Sequence, residues 1–598
     1  MHSSDDESRT PYMSRSQRKG REDKPGYHAV TRGWTCGFAS KASDRRLEAQ
    51  ETEAAKQATQ DKVKAIGDYR TALTENWKPT ADTPLIFEIG RNWIYKCVTN
   101  HQECRPDQDN YCPTRLLESL LGSSIEGGEG IKNYYNCESP ETKRGIPIES
   151  LPQLYRDAIK VTRNLGESFL WIDSLCIIQD SEDDWAQESD QMGNVYANAL
   201  CTISADAATG SNETLFPTRD LNKSLESLNS TKYEASYIPW GYLRPPSSSR
   251  ATFHPAYHVS SDLIAASPTS SRGWCLQERQ LSRRILHFTS QQVLWECGSL
   301  NASEIYPQGL PLMPGKTEAY QTQPVGPAYH RELYRQLPRS VISTPDTMQD
   351  EMRLLWYWFL VEFSKRILTF PSDRLPAISG IAQDLSRKTK ETYIAGLWKS
   401  DLLYGLCWIS SPTPDNRIRL YDSAPSWSWA SVTGPIQFQE HFERVESSEP
   451  ILEVEDFVIT PLLAHNPTGS IRSGMLKVRG YLSFGKILKP VAEDEPDEVS
   501  YDGSVKRTVE WDNWTLPYSS NEHTISVNYD LDVPQPKGGN LFCLHLGATT
   551  RGGDIGLVLV PVPVEGLEST YMRIGLLRTN TLFFAREKDK NKVSLCII

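Results

Sequence analysis

The chain has 598 residues and a formal net charge of −12 at pH 7, with 64 basic and 76 acidic residues. This length allows two or three domains with their own cores, and the scattered acidic charge argues against nucleic acid as a partner, because phosphate binding needs a basic face. The polar N-terminus predicts no secretory signal, and no apolar run is long enough to span a membrane. The twelve cysteines predict reduced thiols, so we expect a soluble cytoplasmic protein.

The first 83 residues are predicted to form a disordered and helical extension. Residues 1–26 are charged and low in apolar content, which is typical of disorder, and Arg45 to Asn76 favours an exposed helix. The basic cluster at 15–21 is compatible with a nuclear address as well as with a solvated tail, so a nuclear location stays open. We expect ordered structure from about Pro84.

Helix and strand patterns alternate between residues 150 and 208, which predicts an α/β region. Ser150 and Gln153 have the spacing of a capping box, apolar residues follow at helical spacing, and Gly166 is placed to end the helix. The apolar run 169–172 then predicts a strand that is buried on both faces, as in a parallel sheet.

Two further elements complete this α/β region. Ser181 is a predicted helix N-cap, and the acidic residues after it lie where the helix dipole favours negative charge. The run 201–204 predicts another strand. The fold class we predict is therefore an α/β core, with a mainly parallel sheet flanked by helices; the domain would span 84–300 and its core 150–296.

The rest of the chain is predicted to divide into two parts. Residues 301–448 favour a helical connector, with helices at 348–368 and 374–389. From 449 to 598, six alternating apolar runs separated by turn residues predict an antiparallel β module.

Several blocks of this sequence resemble one protein family. They are RDAIKVTRNLG, FLWIDSLCIIQD, DDWxxE and MxxVYANA within residues 156–199, followed by RGWCLQERQLSRRILHF (272–288) and APSWSWASVTGP (424–435). In this order they are similar to the heterokaryon incompatibility (HET) domain of filamentous fungi, over roughly residues 90–435. The resemblance implies a role in self/non-self recognition and in regulated cell death when incompatible fungal cells fuse.

The resemblance also implies an enzymatic alternative, because a distant kinship has been suggested between the HET fold and Toll/interleukin-1 receptor (TIR) domains, some of which cleave NAD. One block of the family is missing here. Members usually open the domain with Y-x-x-L-S-Y-x-W-G, which would lie between residues 117 and 151. Either the gene model has lost an exon or this member lacks its first strand. Since that strand would supply half of a TIR-like nucleotide pocket, its absence favours a non-enzymatic signalling module that acts through protein partners or self-association.

Residues Trp274 to Glu278 match the pattern W-C-x-x-E, the shape of the catalytic-glutamate motif in NAD-cleaving TIR domains. A carboxylate suits that reaction, because breaking the nicotinamide–ribose bond builds up positive charge on the sugar. The resemblance implies Glu278 as the catalytic carboxylate, NAD as the substrate and Trp274 beside the site. The structural alternative places Trp274 in the core and pairs Glu278 with an arginine on the helix surface.

Three other polar residues could line the same cleft. Asp173 and Ser174 follow a predicted strand, at the edge where open α/β sheets bind ligands, and Asp173 could bind ribose hydroxyls. Asp173 could equally cap the following turn. Glu188 is a third carboxylate that could face the cleft, although an acidic residue on a helix is more often part of a solvated flank.

Cys97, His101, Cys104 and Cys112 lie within sixteen residues of sequence. These four side chains are soft ligands that could close around zinc in a tetrahedral site. Their spacing is not that of a standard zinc finger, so the alternative is a buried Cys97 and a half-exposed His101.

The segment PSWSWAS at 425–431 carries two tryptophans two residues apart. On a strand, Trp427 and Trp429 would point the same way. They would form either a binding surface or, in the structural interpretation, a seam buried against the α/β core.

Overall fold

The computed structural model describes residues 64, 66–105, 111–118, 124–125, 128–135, 146–227, 255–311, 345–410, 419–438, 451–487, 509–511, 526–529, 540–548, 554–567, 569–578 and 591–598. The predictions for residues 1–63, including the basic cluster at 15–21, lie outside the described residues. Among the described helices, none combines the length and the apolar character needed to cross a bilayer.

The N-terminal half contains nine helices within the described residues. They are α1 (66–76), α2 (Pro84–Asn100), α3 (Gln153–Leu165), α4 (Asp173–Cys176), α5 (Glu182–Asn198), α6 (Leu221–Ser227), α7 (Pro255–Ala265), α8 (Pro268–Ser271) and α9 (Trp274–Leu281).

Local capping chemistry sets the ends of two of these helices. Gly166 ends α3 in the left-handed conformation, with φ 87°, as predicted. The Ser181 side chain accepts a hydrogen bond from the Asp184 N–H at 3.2 Å and so caps α5, also as predicted. The capping box predicted at Ser150 is wrong: its hydroxyl donates to the Pro147 carbonyl at 2.7 Å within a 3₁₀ turn, and α3 begins after Pro152.

The described residues of the same half of the chain form two small sheets. The first contains β1 (Arg115–Glu118), β2 (Ser124–Ile125), β3 (Gly128–Tyr135), β4 (Ile146–Pro147) and β5 (Phe169–Leu170), in the order β2-β3-β1-β5 with β4 on β3. The second has the order β6-β7-β8-β9, formed by β6 (Thr202–Ser204), β7 (Arg284–Phe288), β8 (Val293–Cys297) and β9 (Asn301–Ser303).

The mainly parallel sheet predicted for this region is not found among the described residues. Only the β6–β7 pair is parallel there, and the other pairs of these two sheets are antiparallel. The short turn between β7 and β8 leaves no room for the crossover helix that a parallel pair needs. The run 169–172 is likewise not a doubly buried strand: β5 covers two residues, and the Phe169 side chain is 50% exposed.

The middle of the chain contains three helices and four short strands within the described residues. These are α10 (Pro345–Ser364), α11 (Pro376–Thr389), β10 (Tyr393–Ile394), β11 (Leu397–Trp398), α12 (Leu402–Gly405), β12 (Trp408–Ser410) and β13 (Ile436–Phe438). Helix α11 crosses α5 at a contact between two glycines, where a Cβ on Gly193 would lie 3.0 Å from the Gly380 Cα. The Gly380 N–H also donates to the Gln277 side chain at 2.6 Å, so α9 packs at the same point.

Among the described residues, the predicted antiparallel module forms a nine-stranded sheet in the order β14-β15-β22-β21-β20-β19-β16-β17, with β18 on β21. Its strands are β14 (Glu453–Pro461), β15 (Ile471–Gly480), β16 (Leu482–Ile487), β17 (Val509–Trp511), β18 (Ser526–Tyr529), β19 (Asn540–Ala548), β20 (Asp554–Pro561), β21 (Thr570–Arg578) and β22 (Val593–Ile597). All of its pairs are antiparallel except β21–β22.

A single hydrophobic cluster joins this sheet to the helices of the middle region and to α9. Trp427 and Trp429 are completely buried in it. Their partners Trp408, Gly396 and Phe363 belong to the middle region, so the predicted burial is found but not the predicted seam against the α/β core. They do not lie on a strand: Trp429 begins a 3₁₀ turn, and the Ser428 hydroxyl accepts a hydrogen bond from the Ala430 N–H at 3.1 Å.

Candidate functional site

A cavity of about 480 Å³ opens in the N-terminal half of the chain. Its wall is formed by parts of α3, α5, β6, α9 and β7, together with the loop after α10. Its polar lining includes Asp173, Tyr196, Asp206, Arg272, Glu278 and Arg366. Carboxylates and guanidinium groups therefore face the same space.

Glu278 lies in the wall of this cavity, on α9. Burial, together with the negative charge of Asp173, raises the pKa of its carboxyl group to about 7. Arg272 opposes this shift, as do hydrogen bonds from Cys275 and Tyr196. Glu278 is therefore close to half ionised near neutral pH, which is the condition under which a carboxyl group can both donate and accept a proton.

Two arginines bring positive charge to the cavity. Arg366, which follows α10, donates to the Arg272 carbonyl at 3.2 Å. Burial lowers the pKa of Arg366 to about 10, and this value still leaves it charged at neutral pH. The Cys275 sulfur, followed by Glu278 and Asp173, raises the pKa of Arg272. Both guanidinium groups can therefore bind an anion that enters the cavity.

A buried charged network lies along one side of the cavity. His287 Nδ1 is 2.6 Å from an Asp206 carboxylate oxygen, and its Nε2 is 3.2 Å from Glu296. Arg279 donates two hydrogen bonds to Glu296, each of 3.1 Å, and the Thr269 hydroxyl donates to Asp206. Burial alone would lower the pKa of His287, but the two carboxylates raise it overall. The network therefore favours the charged form of the His287 imidazole, which lies between two carboxylates.

Asp173 and Ser174 lie at the start of α4, and Asp173 lines the cavity. An Asp173 carboxylate oxygen also accepts a hydrogen bond from the Ser174 N–H at 2.7 Å. Asp173 therefore caps this turn and lines the cavity as well. The Ser174 hydroxyl pairs with the Tyr155 hydroxyl at 2.8 Å. Ser174 thus supports a residue of the wall rather than lining the cavity itself.

Trp274 and Glu188 are not among the residues that line the cavity. The Trp274 indole donates to Asp373 at 3.1 Å, and its ring packs edge-on against Trp185. Glu188 is buried and lies 3.3 Å from the Arg115 guanidinium group, so it is neither a solvated flank nor a cavity residue. Of the three predicted carboxylates, Glu278 and Asp173 converge and Glu188 does not.

A second site is formed by Cys97, His101, Cys104 and Cys297, whose ligand atoms all lie within 4.8 Å of one another. The three sulfur atoms are buried and the imidazole is half-buried. Hydrogen bonds with Cys104 and Cys297 raise the pKa of the Cys97 thiol, which shows how closely the sulfur atoms interact. These four residues could hold a metal ion. Cys297, at the end of β8, takes the place predicted for Cys112, which is exposed and does not belong to the cluster.

Residues 128–278 match the family model described as Heterokaryon incompatibility protein (HET). The chain therefore contains a heterokaryon incompatibility domain. No curated protein and no solved structure matches the chain.

The HET match includes most of the polar wall of the cavity. Asp173, Tyr196 and Arg272 lie within it, and Glu278 is its last residue. Arg366, in contrast, lies outside the match. The match also begins within the interval where the missing block was expected, and β3 and β4 lie in that interval.

Sequence reasoning missed several residues of the cavity region, among them Arg272, Arg366, Tyr196, Asp206 and His287. Arg272 begins one of the family blocks and is adjacent to W-C-x-x-E, so its position was a usable signal. Arg366 follows a long apolar helix, with no local pattern that points to a site. Its place in the wall depends on the segment after α10, which pairs with residues 271–273: the Ile367 N–H donates to the Ser271 carbonyl at 2.7 Å and the Gly273 N–H donates to the Ile367 carbonyl at 2.8 Å.

Proposed function

We propose that the cavity of the HET domain binds NAD and hydrolyses its nicotinamide–ribose bond, with Glu278 as the catalytic carboxylate. The observation that carries this proposal is the convergence of Glu278, Asp173, Arg272 and Arg366 on one cavity. A volume of about 480 Å³ suits a small organic ligand of this class.

The charges of the cavity match the two halves of the substrate. A dinucleotide carries a diphosphate, which guanidinium groups bind well, and Arg272 and Arg366 supply two of them. The ribose attached to nicotinamide gains positive charge as the bond breaks, and Glu278 supplies a negative charge in a partly desolvated place. Asp173 is near enough to Glu278 to raise its pKa, and it offers acceptors for ribose hydroxyls.

The reaction breaks the bond between C1′ of the ribose and the nicotinamide nitrogen. Nicotinamide leaves with the bonding electron pair and becomes neutral, while the sugar carbon takes on positive charge that Glu278 stabilises as a carboxylate. Water then adds to C1′ and gives up a proton to Glu278, which later releases it to solvent. The products are nicotinamide, ADP-ribose and one proton.

In the organism, we propose that this activity serves self/non-self recognition between fungal cells, with loss of NAD as the signal for regulated cell death. The HET match supports this role. The alternative is a signalling module without catalysis, which acts through protein partners or self-association in the cytoplasm. The absence of Y-x-x-L-S-Y-x-W-G supports that alternative.

The deciding experiment is to incubate the purified full chain with NAD and to separate the products by chromatography. We expect nicotinamide and ADP-ribose in equal amounts, because one bond is broken per substrate. ADP-ribose alone should raise the thermal unfolding temperature, since it retains the diphosphate that the arginines would bind. A folded chain that neither releases nicotinamide nor responds to ADP-ribose would leave the signalling module as the better account.

The rate of hydrolysis should rise with pH, with a midpoint near the Glu278 pKa of about 7. Below that pH Glu278 is protonated and neutral, so it cannot stabilise positive charge on the sugar. Asp173→Asn removes a negative charge that raises this pKa, so the midpoint of the pH–rate profile should move to lower pH, whatever the change in maximal rate. The charged groups that remain near Glu278 are Arg272 and Arg366. Both favour its ionised form. A midpoint that stays in place would show that Glu278 does not control the rate.

For the cluster of Cys97, His101, Cys104 and Cys297, we propose zinc as the bound metal. Three thiols and one imidazole form a donor set typical of structural zinc. Because all four donors are protein side chains, such an ion would have no open position for substrate.

A further inference from the structure

We infer that Cys97, His101, Cys104 and Cys297 form one zinc site, that the buried Arg284 balances its negative charge, and that the site stabilises one wall of the cavity. The four residues come from two distant parts of the chain, the C-terminal end of α2 with the turn that follows it and the end of β8.

The distances within the cluster fit a tetrahedral ion. Zinc bonds of about 2.3 Å to sulfur and about 2.0–2.1 Å to nitrogen place a sulfur and a nitrogen about 3.6 Å apart at tetrahedral angles. The Cys297 sulfur and His101 Nδ1 are 3.5 Å apart. The remaining donor atoms lie within 4.8 Å of one another, so small side-chain rotations would bring them to ligand distance.

Arg284 is the independent observation that points to an anionic metal complex. Its side chain is 4% exposed, and it donates to the Cys97 sulfur at 3.1 Å and to the Cys104 and Leu200 carbonyls at 2.7 and 3.2 Å. Within the described part of the chain, no carboxylate pairs with it. A buried guanidinium group with no negative partner is costly.

Zinc removes that cost. Three thiolates, a neutral imidazole and a divalent ion carry a net charge of −1, which balances the single positive charge of Arg284. The Gly298 N–H also donates to the Cys104 sulfur at 3.2 Å. Hydrogen bonds of this kind, from N–H groups to ligand sulfur atoms, orient the ligands and tune the affinity for the metal.

The same site is connected to the cavity. The Leu200 carbonyl that Arg284 holds belongs to the segment 198–204, whose residues line the cavity next to β6. Ile94, one turn before Cys97 on α2, lines it as well. Arg284 itself lies on β7, three residues before His287. Zinc would therefore hold α2, β7 and β8 in one arrangement and so fix this wall.

The first test is the metal content of the full chain, purified with a reductant and measured by elemental analysis. We expect about one zinc per chain. Cys297→Ser should lose most of the zinc, whereas Cys112→Ser, a change of the exposed cysteine outside the cluster, should keep it. Arg284→Gln should weaken zinc binding about 10- to 100-fold, because it removes a hydrogen bond to a ligand and the balancing charge.

The second test avoids variants that could fail to fold. Zinc is removed from the wild-type chain with a chelator and replaced by cobalt, whose visible spectrum reports tetrahedral thiolate ligands. Zinc removal should raise the rate of amide hydrogen exchange in 198–204 and in α2, while the exchange rates in β19 and β20 stay the same. No bound metal, a disulfide between two of the cysteines, or unchanged exchange in 198–204 would overturn the inference. None of these readouts depends on NAD hydrolysis, so the two proposals can fail separately.

Discussion

Glu278→Gln is expected to lower the rate of nicotinamide release by about 10²- to 10³-fold, the size of effect seen when one preorganised electrostatic group is removed from an active site. Glutamine keeps the shape of the side chain but carries no negative charge, so it cannot stabilise the positively charged sugar. The rate is measured by product chromatography at saturating NAD, above the pH midpoint of about 7.

The thermal stability of the same variant separates a catalytic role from a structural one. Burial and the charge of Asp173 raise the pKa of Glu278 from 4.5 to about 7, so the folded state loses stability as the pH rises between these two values, and the loss is complete above 7. Glu278→Gln removes that charge, and the unfolding temperature at pH 8 should stay the same or increase. Glu88→Gln, a change of an exposed glutamate on α2, should alter neither the rate nor the stability. Parallel losses of activity and stability in Glu278→Gln would assign Glu278 a structural role.

Arg573→Ala is expected to lower the free energy of unfolding by more than about 3 kcal/mol, because two buried carbonyls lose their donors and a cavity is left. Arg573 is fully buried on β21. Its guanidinium group donates to the Leu406 and Trp408 carbonyls at 2.8 and 2.5 Å and lies over the Trp408 ring, 3.5 Å from its centre. This one side chain therefore connects the C-terminal sheet to the segment around β12.

Urea unfolding measures this loss, with Arg479→Ala as the matched control. Arg479 also lies on a strand of the C-terminal sheet, but its side chain is 50% exposed and 3.7 Å from Glu453. Such a surface pair contributes about 0–1 kcal/mol, so its removal should have little effect. If the two variants lost similar amounts of stability, Arg573 would not be a specific link between the sheet and β12.

Several features of this protein follow from local sequence alone. The helix end at Gly166 and the N-cap at Ser181 depend on a few neighbouring residues, and both were predicted correctly. The alternating strands after residue 449 were also predicted, because side-chain direction along a strand repeats every two residues. The HET resemblance rested on blocks of adjacent residues, and the match over 128–278 confirms it.

Other features were decided by contacts between distant residues. Glu278 and Asp173 were predicted as cavity residues from short motifs, but Arg366 reaches the same cavity only because the segment after α10 pairs with residues 271–273. Cys297 joins Cys97 although the two are separated by 200 positions in the sequence, whereas Cys112, which is near Cys97 in sequence, stays exposed. Sequence spacing limits which residues can contact each other within a helix or a turn. It does not indicate which of several residues about 200 positions away will be the contact.

The direction of strand pairing is another feature that contacts between distant residues decide. The apolar run 169–172 was compatible with a buried strand by composition, yet only two of its residues pair, with β1 in an antiparallel register. The apolar composition of a segment indicates that its burial is favourable. Which neighbour covers it depends on the packing of the whole chain, and only the tertiary structure contains that information.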